Sequence, residues 1–233
     1  MLSMSREHSL PTTDRSLHVF RNLPPTVLAD FSRISRQITL PKGAILFHEN
    51  EIGDRIVAVR SGQVKLFCTS HTGRTLIQRI AMPGDLLGLS AVISGSPFEV
   101  TAEALMPVFA DTIRRDDFLS FLSRHGEASM HTAKALSDAY KSAFFDARRF
   151  ALSDSVTARV ASILLDWGKA SSDGDAEMHF TMALSREDFA SFVGTTRETV
   201  TRVLVIFQKK KLIRIRGISL YILLPDELSQ LCA

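Results

Sequence analysis

Between Arg36 and Arg114 the apolar residues come in short, β-rich runs at 37–40, 44–47, 55–59, 63–68, 75–80, 100–104 and 108–113. Gly43, Gly53, Gly62, Gly73 and Gly84 fall between them, nine to eleven residues apart. Short strands punctuated by evenly spaced turn glycines predict an antiparallel sandwich or roll. On either side the period lengthens. Residues 17–35 predict helix in short pieces around Pro24 and Pro25, and 116–122 predict a short helix broken at Arg124-His125-Gly126. A long helix follows over about 127–150. In it Ala133, Leu136, Tyr140, Ala143, Ala147 and Phe150 recur in steps of three and four, a heptad-like stripe. A helix packed on its own domain shows the same stripe, so the pattern alone leaves a dimer seam and a monomer core equally open. Leu152-Ser153-Asp154 reads as a hinge, with Ser153 or Ser155 capping a helix over 156–168. Residues 171–175 read as a surface turn rather than a metal loop.

The most informative stretch runs from Ser185 to Lys211. Ser185 with Asp188 three residues on is a capping-box-like start. A short helix to Val193 ends at Gly194, which can take the left-handed conformation. Thr195 or Thr196 then caps a second helix. There Val200, Val203, Leu204 and Phe207 recur at i, i+3, i+4 and i+7, one apolar face, while Glu198, Thr201, Arg202 and Val205 point away from it. Ala190, Gly194 and Val200 supply the small residue, turn residue and buried contact of a helix-turn-helix. An ordinary helical hairpin with a solvated charged face fits less well, because turn, caps and spacing agree. Residues 212–215 and 219–223 flank Arg216-Gly217 and read as a hairpin wing.

Composition adds bounds. The chain has 233 residues, 45% hydrophobic and 23% charged, enough for one or two ordinary globular domains. Net charge is only +3, yet between Arg186 and Arg216 eight Arg and Lys stand against three acids. That local excess suits a phosphate-facing surface, although the helix dipole accounts for part of Lys209 to Lys211. Two distant cysteines, Cys68 and Cys232, give no disulfide framework or metal spacing. The seven histidines stand in no ligand motif, so no metal and no cofactor is expected. No apolar run spans a bilayer and residues 1–16 lack the apolar core of a signal peptide, so the expected location is cytoplasmic, with a flexible tail. Gly88-Leu89-Ser90-Ala91-Val92 lacks the final glycine of a nucleophile elbow, and no phosphate loop, zinc motif or dinucleotide fingerprint occurs; an enzyme is not expected.

The run Thr196-Arg197-Glu198-Thr199-Val200-Thr201-Arg202 closely resembles the recognition helix of Crp/Fnr-type bacterial transcription regulators. The resemblance extends from about Phe20 to about Leu224 and is looser in the first half. It implies an α+β chain: a tail at 1–16, a cyclic-nucleotide-binding-like β-roll sensor at 17–125, a long dimerisation helix at 126–152 and a winged helix-turn-helix at 153–233. It also implies that the stripe on the long helix is the dimer seam. Arg197, Glu198 and Arg202 match the family's base-reading positions, which select half-sites like TGTGA. Thr201 sits where branches differ. Thr195, Thr196, Thr199, Lys209, Lys210 and Lys211 would hold the backbone of double-stranded DNA, and RNA polymerase is the implied second partner. The residue types suit these roles: Arg donates twice to guanine, and Glu accepts from cytosine.

The family's effector cassette holds ribose with a Gly-Glu pair and phosphate with a downstream Arg-Ser. The corresponding segment here is Gly84 to Thr101. Glycine remains at Gly88, but Leu89 stands at the glutamate, and Glu99 or Val100 at the arginine, depending on register. The polar pair that contacts the base aligns with Phe144-Phe145. The implied pocket is then Gly88, Leu89, Ser90, Val92, Val100, Thr101 and Phe144, without the groups that offset an anionic phosphate. The expected effector is unknown and is not cyclic AMP. The iron–sulfur branch's N-terminal cysteine cluster is missing as well. Two alternatives stand beside this reading. One is a cyclic-nucleotide-responsive regulator of the usual Crp type. The other is a ligand-sensing module whose helix-turn-helix makes protein contacts.

Overall fold

The computed structural model describes residues 18–20, 22–152, 155–171 and 178–232, and the side chains at 18, 146, 149, 150 and 152 are outside that description. The expected tail at 1–16, the hinge at 153–154 and most of the 171–175 turn therefore lie outside the described residues, as does the side chain of Phe150.

Two four-stranded antiparallel sheets form the N-terminal half. One has the order β1-β8-β3-β6, from Arg36–Leu40, Val108–Arg114, Arg55–Ser61 and Leu86–Leu87. The other has the order β2-β7-β4-β5, from Ile45–Phe47, Thr101–Ala104, Val64–Thr69 and Thr75–Ala81. Phe47, Val57, Val59, Val64, Leu87, Ala102 and Val108 meet between the sheets as one core. The outer face of the first sheet carries a second core. There Ile56, Ala58 and Ile113 meet Phe20 of a 3-10 turn (His18–Phe20), Val27 and Phe31 of α1 (Pro25–Ile34), Phe118 and Phe121 of α3 (Arg115–Arg124), and Ala128. β3 is thus buried on both faces, which is why 56–59 reads Ile-Val-Ala-Val with no polar alternation. Buried Asp111 on β8 is neutralised by Arg60, 2.6 Å away.

The helix α2 (Leu89–Ser94) begins after Gly88 and ends at Gly95, both left-handed. A 27-residue helix, α4 (Gly126–Leu152), leaves the roll, and α5 (Val156–Ser171) follows, its start capped by the Ser155 hydroxyl accepting from Ala158 N. The C-terminal half packs α5, α6 (Arg186–Val193) and α7 (Arg197–Lys209) around a third core with α8 (Pro225–Gln230). Its wing is a three-stranded sheet, β10-β11-β9, from Ile213–Arg216, Ser219–Ile222 and His179–Thr181. The α+β class follows the hydrophobic pattern. β6, β9, α2 and α8 were not expected. No helix among the described residues is long and apolar enough to cross a membrane.

Candidate nucleic-acid interface

Local chemistry fixes the helix pair. The Ser185 hydroxyl accepts from Asp188 N at 3.0 Å, and Asp188 Oδ2 accepts from Ser185 N at 3.3 Å, a reciprocal cap on the α6 N-terminus. Gly194 ends α6 at φ 75°. Of the two candidate caps on α7 it is Thr196 that acts, its Oγ1 accepting from Thr199 N at 3.3 Å. Thr195 spends its own N–H on Ala190 O. Ala190, Val200, Val203, Leu204 and Phe207 are buried, so the apolar face of α7 is sealed against α5 and α6. Its position and roll are set by packing, and the opposite face projects outward without adjustment.

On that outer face Arg197, Glu198, Thr201 and Arg202 are all exposed. Glu198 lies in the first turn, where its own backbone N–H, the Thr196 hydroxyl and nearby Arg197 hold its carboxyl below the usual range. It is therefore an acceptor at any physiological pH. Thr201 Oγ1 donates to Arg197 O at 2.7 Å and would have to leave that bond to reach a base. Lys209, Lys210 and Lys211 are exposed at the far end, where Lys211 turns the chain with φ 56°. Arg216 is exposed on the wing beside Gly217, whereas Arg214 stacks over Tyr221 at 4.9 Å. Arg186, counted in the basic excess, is half-buried; burial lowers its pKa, and its Nη1 has no hydrogen-bond partner. The surface that remains carries two arginines over the helix front, three lysines behind and one arginine on the wing.

The residues expected to line an effector pocket meet a different fate. Leu89 and Val92 belong to the outer core, and Val100 packs on the inter-sheet core. Thr101 Oγ1 accepts from Glu49 N at 3.0 Å, and Ser90 is exposed. The space beside Gly88 holds the ring of Phe98: a Cβ placed on Gly88 would lie 2.8 Å from Phe98 Cε1. Phe98 is 1% exposed and stacks on Phe47 with centroids 4.0 Å apart. The guanidinium of Arg55 lies over the same ring, and its nitrogens bond Glu51, Asp54 and Leu46 O at 2.9, 2.6 and 3.0 Å. Burial works against that cation, but its carboxylate partners prevail and raise its pKa. Phe144 is not with the others. It is 58% exposed on α4 and meets Phe145 edge-on.

The stripe on α4 divides. Leu136 leans on the outer core of its own chain. Ala133, Tyr140, Ala143 and Ala147 are exposed. Met130, Tyr140, Phe144 and Phe145 are 70%, 73%, 58% and 59% exposed, and Met130, Ala133, Tyr140, Phe144 and Ala147 follow one helix face. The bare apolar face is thus turned slightly from the expected stripe, toward Phe144 and away from Leu136. Phe47, Phe98 and Arg55 were missed at the sequence level, because nothing in their spacing shows that they converge.

Comparison with known proteins matches both halves. A cyclic nucleotide-binding domain family covers residues 37–125, and a Crp-like helix-turn-helix domain family covers 158–231. The CRP-like cAMP-activated global transcriptional regulator of Mycobacterium tuberculosis is 28% identical over 206 residues, spanning 88% of this chain and 91% of that protein. The transcriptional activator protein Anr of Pseudomonas protegens is 29% identical over 203 residues, 86% of this chain and 80% of that protein. The solved structure of FixK2 from Bradyrhizobium japonicum superposes with a TM-score of 0.78 at 20% identity, covering 86% of this chain and 98% of that one.

Proposed function

Because the chain belongs to the Crp/Fnr family of bacterial transcription regulators, we propose that it reads double-stranded DNA as a homodimer, on a pseudo-palindromic site with TGTGA-like half-sites. The observation that carries the reading is α7: capped by Thr196, sealed on one face, and presenting Arg197, Glu198, Thr201 and Arg202 on the other. Arg197 and Arg202 each have the paired N–H donors that match guanine O6 and N7, and ionised Glu198 accepts from cytosine N4. Thr195, Thr196, Thr199 and the three lysines fix the helix on the phosphates. The exposed apolar face of α4 supports pairing with a second copy, which places two reading helices on one duplex. RNA polymerase is the second macromolecular partner in this reading, and the protein acts where the chromosome lies, in the cytoplasm.

The effector side of the proposal is negative. Phe98 occupies the room next to Gly88, and Arg55 has its charge committed to Glu51 and Asp54. A cyclic nucleotide would have to displace a stacked aromatic pair and bury its phosphate without a cation assigned to it, at a cost of several kcal/mol. The proposal is therefore a regulator that binds its site without cyclic AMP. Ligand-free protein incubated with a genomic fragment library should protect two symmetric half-sites, centred about 34 Å apart. A single asymmetric footprint, or protection that appears only with cyclic AMP, would overturn it.

A further inference from the structure

The helix-turn-helix rests on the β-roll through packing and through polar bonds. β5 lies against α6. On the neighbouring strand β4, Lys65 Nζ sits 2.9 Å from Asp188 Oδ1 and 3.2 Å from Glu103 Oε2. The Lys65 side chain is 14% exposed, so this is a sheltered contact. Two residues earlier, Gln63 donates its Nε2 to Thr181 O at 3.1 Å. The two bonds from the roll therefore land on either side of Ser185. One holds the strand that leads into α6, and the other holds the carboxylate that caps α6. Between the domains remains a cavity of about 80 Å³ lined by Gln63, Ile80, Met82, Trp167, Phe180 and Met182. Domain interiors are close-packed. A junction in which two polar bonds flank an apolar recess that opens to solvent is one that can part.

The charges are arranged so that parting leaves neither ion stranded. Glu103 is the direct cross-strand neighbour of Lys65 and stays with it in the roll. Asp188 keeps the Ser185 hydroxyl at 2.6 Å and the Ser185 amide. An ion pair usually resists separation because each half is left buried and unpaired; here each half has a second partner on its own side. We propose that Lys65 is an inter-domain latch: it docks the helix-turn-helix on the β-roll through Asp188 and falls back on Glu103 alone when the domain leaves.

Trp167 lines the gap and is the single tryptophan in the chain, so acrylamide quenching of the full-length protein reports docking directly. Removing one charge-assisted hydrogen bond shifts an equilibrium about tenfold. Lys65→Met should shift docking by that factor and raise quenching, and 1 M NaCl should raise it in the unmodified protein. Lys65→Arg should quench as wild type, and Glu103→Gln, which removes the partner of the released state, should quench no more than wild type. Asp188→Asn should raise quenching, and adding it to Lys65→Met should raise it no further. Wild-type quenching in Lys65→Met, or effects of the two substitutions that add, would overturn the latch. Should Lys65→Met fail to fold by circular dichroism, Asp188→Asn decides alone, and unchanged quenching there overturns it. No step involves DNA, so a failure of base reading leaves this test intact.

Discussion

The helix-turn-helix and the β-roll treat the same materials in opposite ways. In the C-terminal half the apolar side chains of α7 are locked inward and the charged ones face outward. In the roll, beside Gly88, the aromatic rings lie inward and the charges are consumed: Phe98 stacks on Phe47, and Arg55 bonds two carboxylates and a carbonyl. One half offers its chemistry to a partner and the other has used its chemistry on itself. A surface can be read from one helix's periodicity. Whether a hollow exists depends on which distant side chains fall into it.

The largest expected effect tests the filled roll. Phe98→Ala removes a fully buried ring and should cost about 3–5 kcal/mol in urea unfolding. A loss under about 1 kcal/mol would mean that the ring only covers an existing hollow. The next tests the open helix. Arg202→Ala should cost roughly 1–3 kcal/mol on the specific site and much less on random DNA in the same salt. Equal losses on both would reduce Arg202 to a phosphate contact.

A smaller effect concerns the junction between the two halves. Burial pushes the Asp188 carboxyl up, but hydrogen bonds from Ser185 and Lys65 outweigh it, and the net shift is downward from 3.8. Burial likewise opposes the Lys65 ammonium, and its bonds to Asp188 and Glu103 outweigh that, raising it above 10.5. A depressed carboxylate stabilises the folded state above its unfolded value and loses that contribution as pH falls through its folded value. The stability gap between wild type and Asp188→Asn should therefore stay flat from about pH 5 to 9 and close below 3.8. A gap that closes near neutrality would assign the shift to another group. The smallest expected effect is none: millimolar cyclic AMP should leave the melting temperature unchanged, since a ligand that binds only the native state must raise it. A saturable rise would show that Phe98 yields its place.

What the sequence made legible was local. Ser185, Asp188, Gly194 and Thr196 act within four residues of their partners, and the face of α7 repeats within one helix. The strands of the roll stood out because glycines bound them. What escaped was short or distant. α2 has six residues between two left-handed glycines, too few for a helical period to show. β9 joins the wing from across the whole helix-turn-helix. Lys65 and Asp188 are 123 residues apart. On α4 the stripe was visible, but both faces are apolar in part, and only the outer core of the roll shows that Leu136 is taken while Phe144 is bare.

β3 carries a consequence for how the roll tolerates change. Ile56 and Ala58 face the helices, Val57 and Val59 face the opposite sheet, and all four are at most 1% exposed. The strand is a party wall with tenants on both sides. A displacement of α3 or of the root of α4 presses on Ile56 and Ala58, and the same backbone carries Val57 and Val59 against Phe47 and Phe98. Alterations made in one room are therefore felt next door, because one strand packs on both cores.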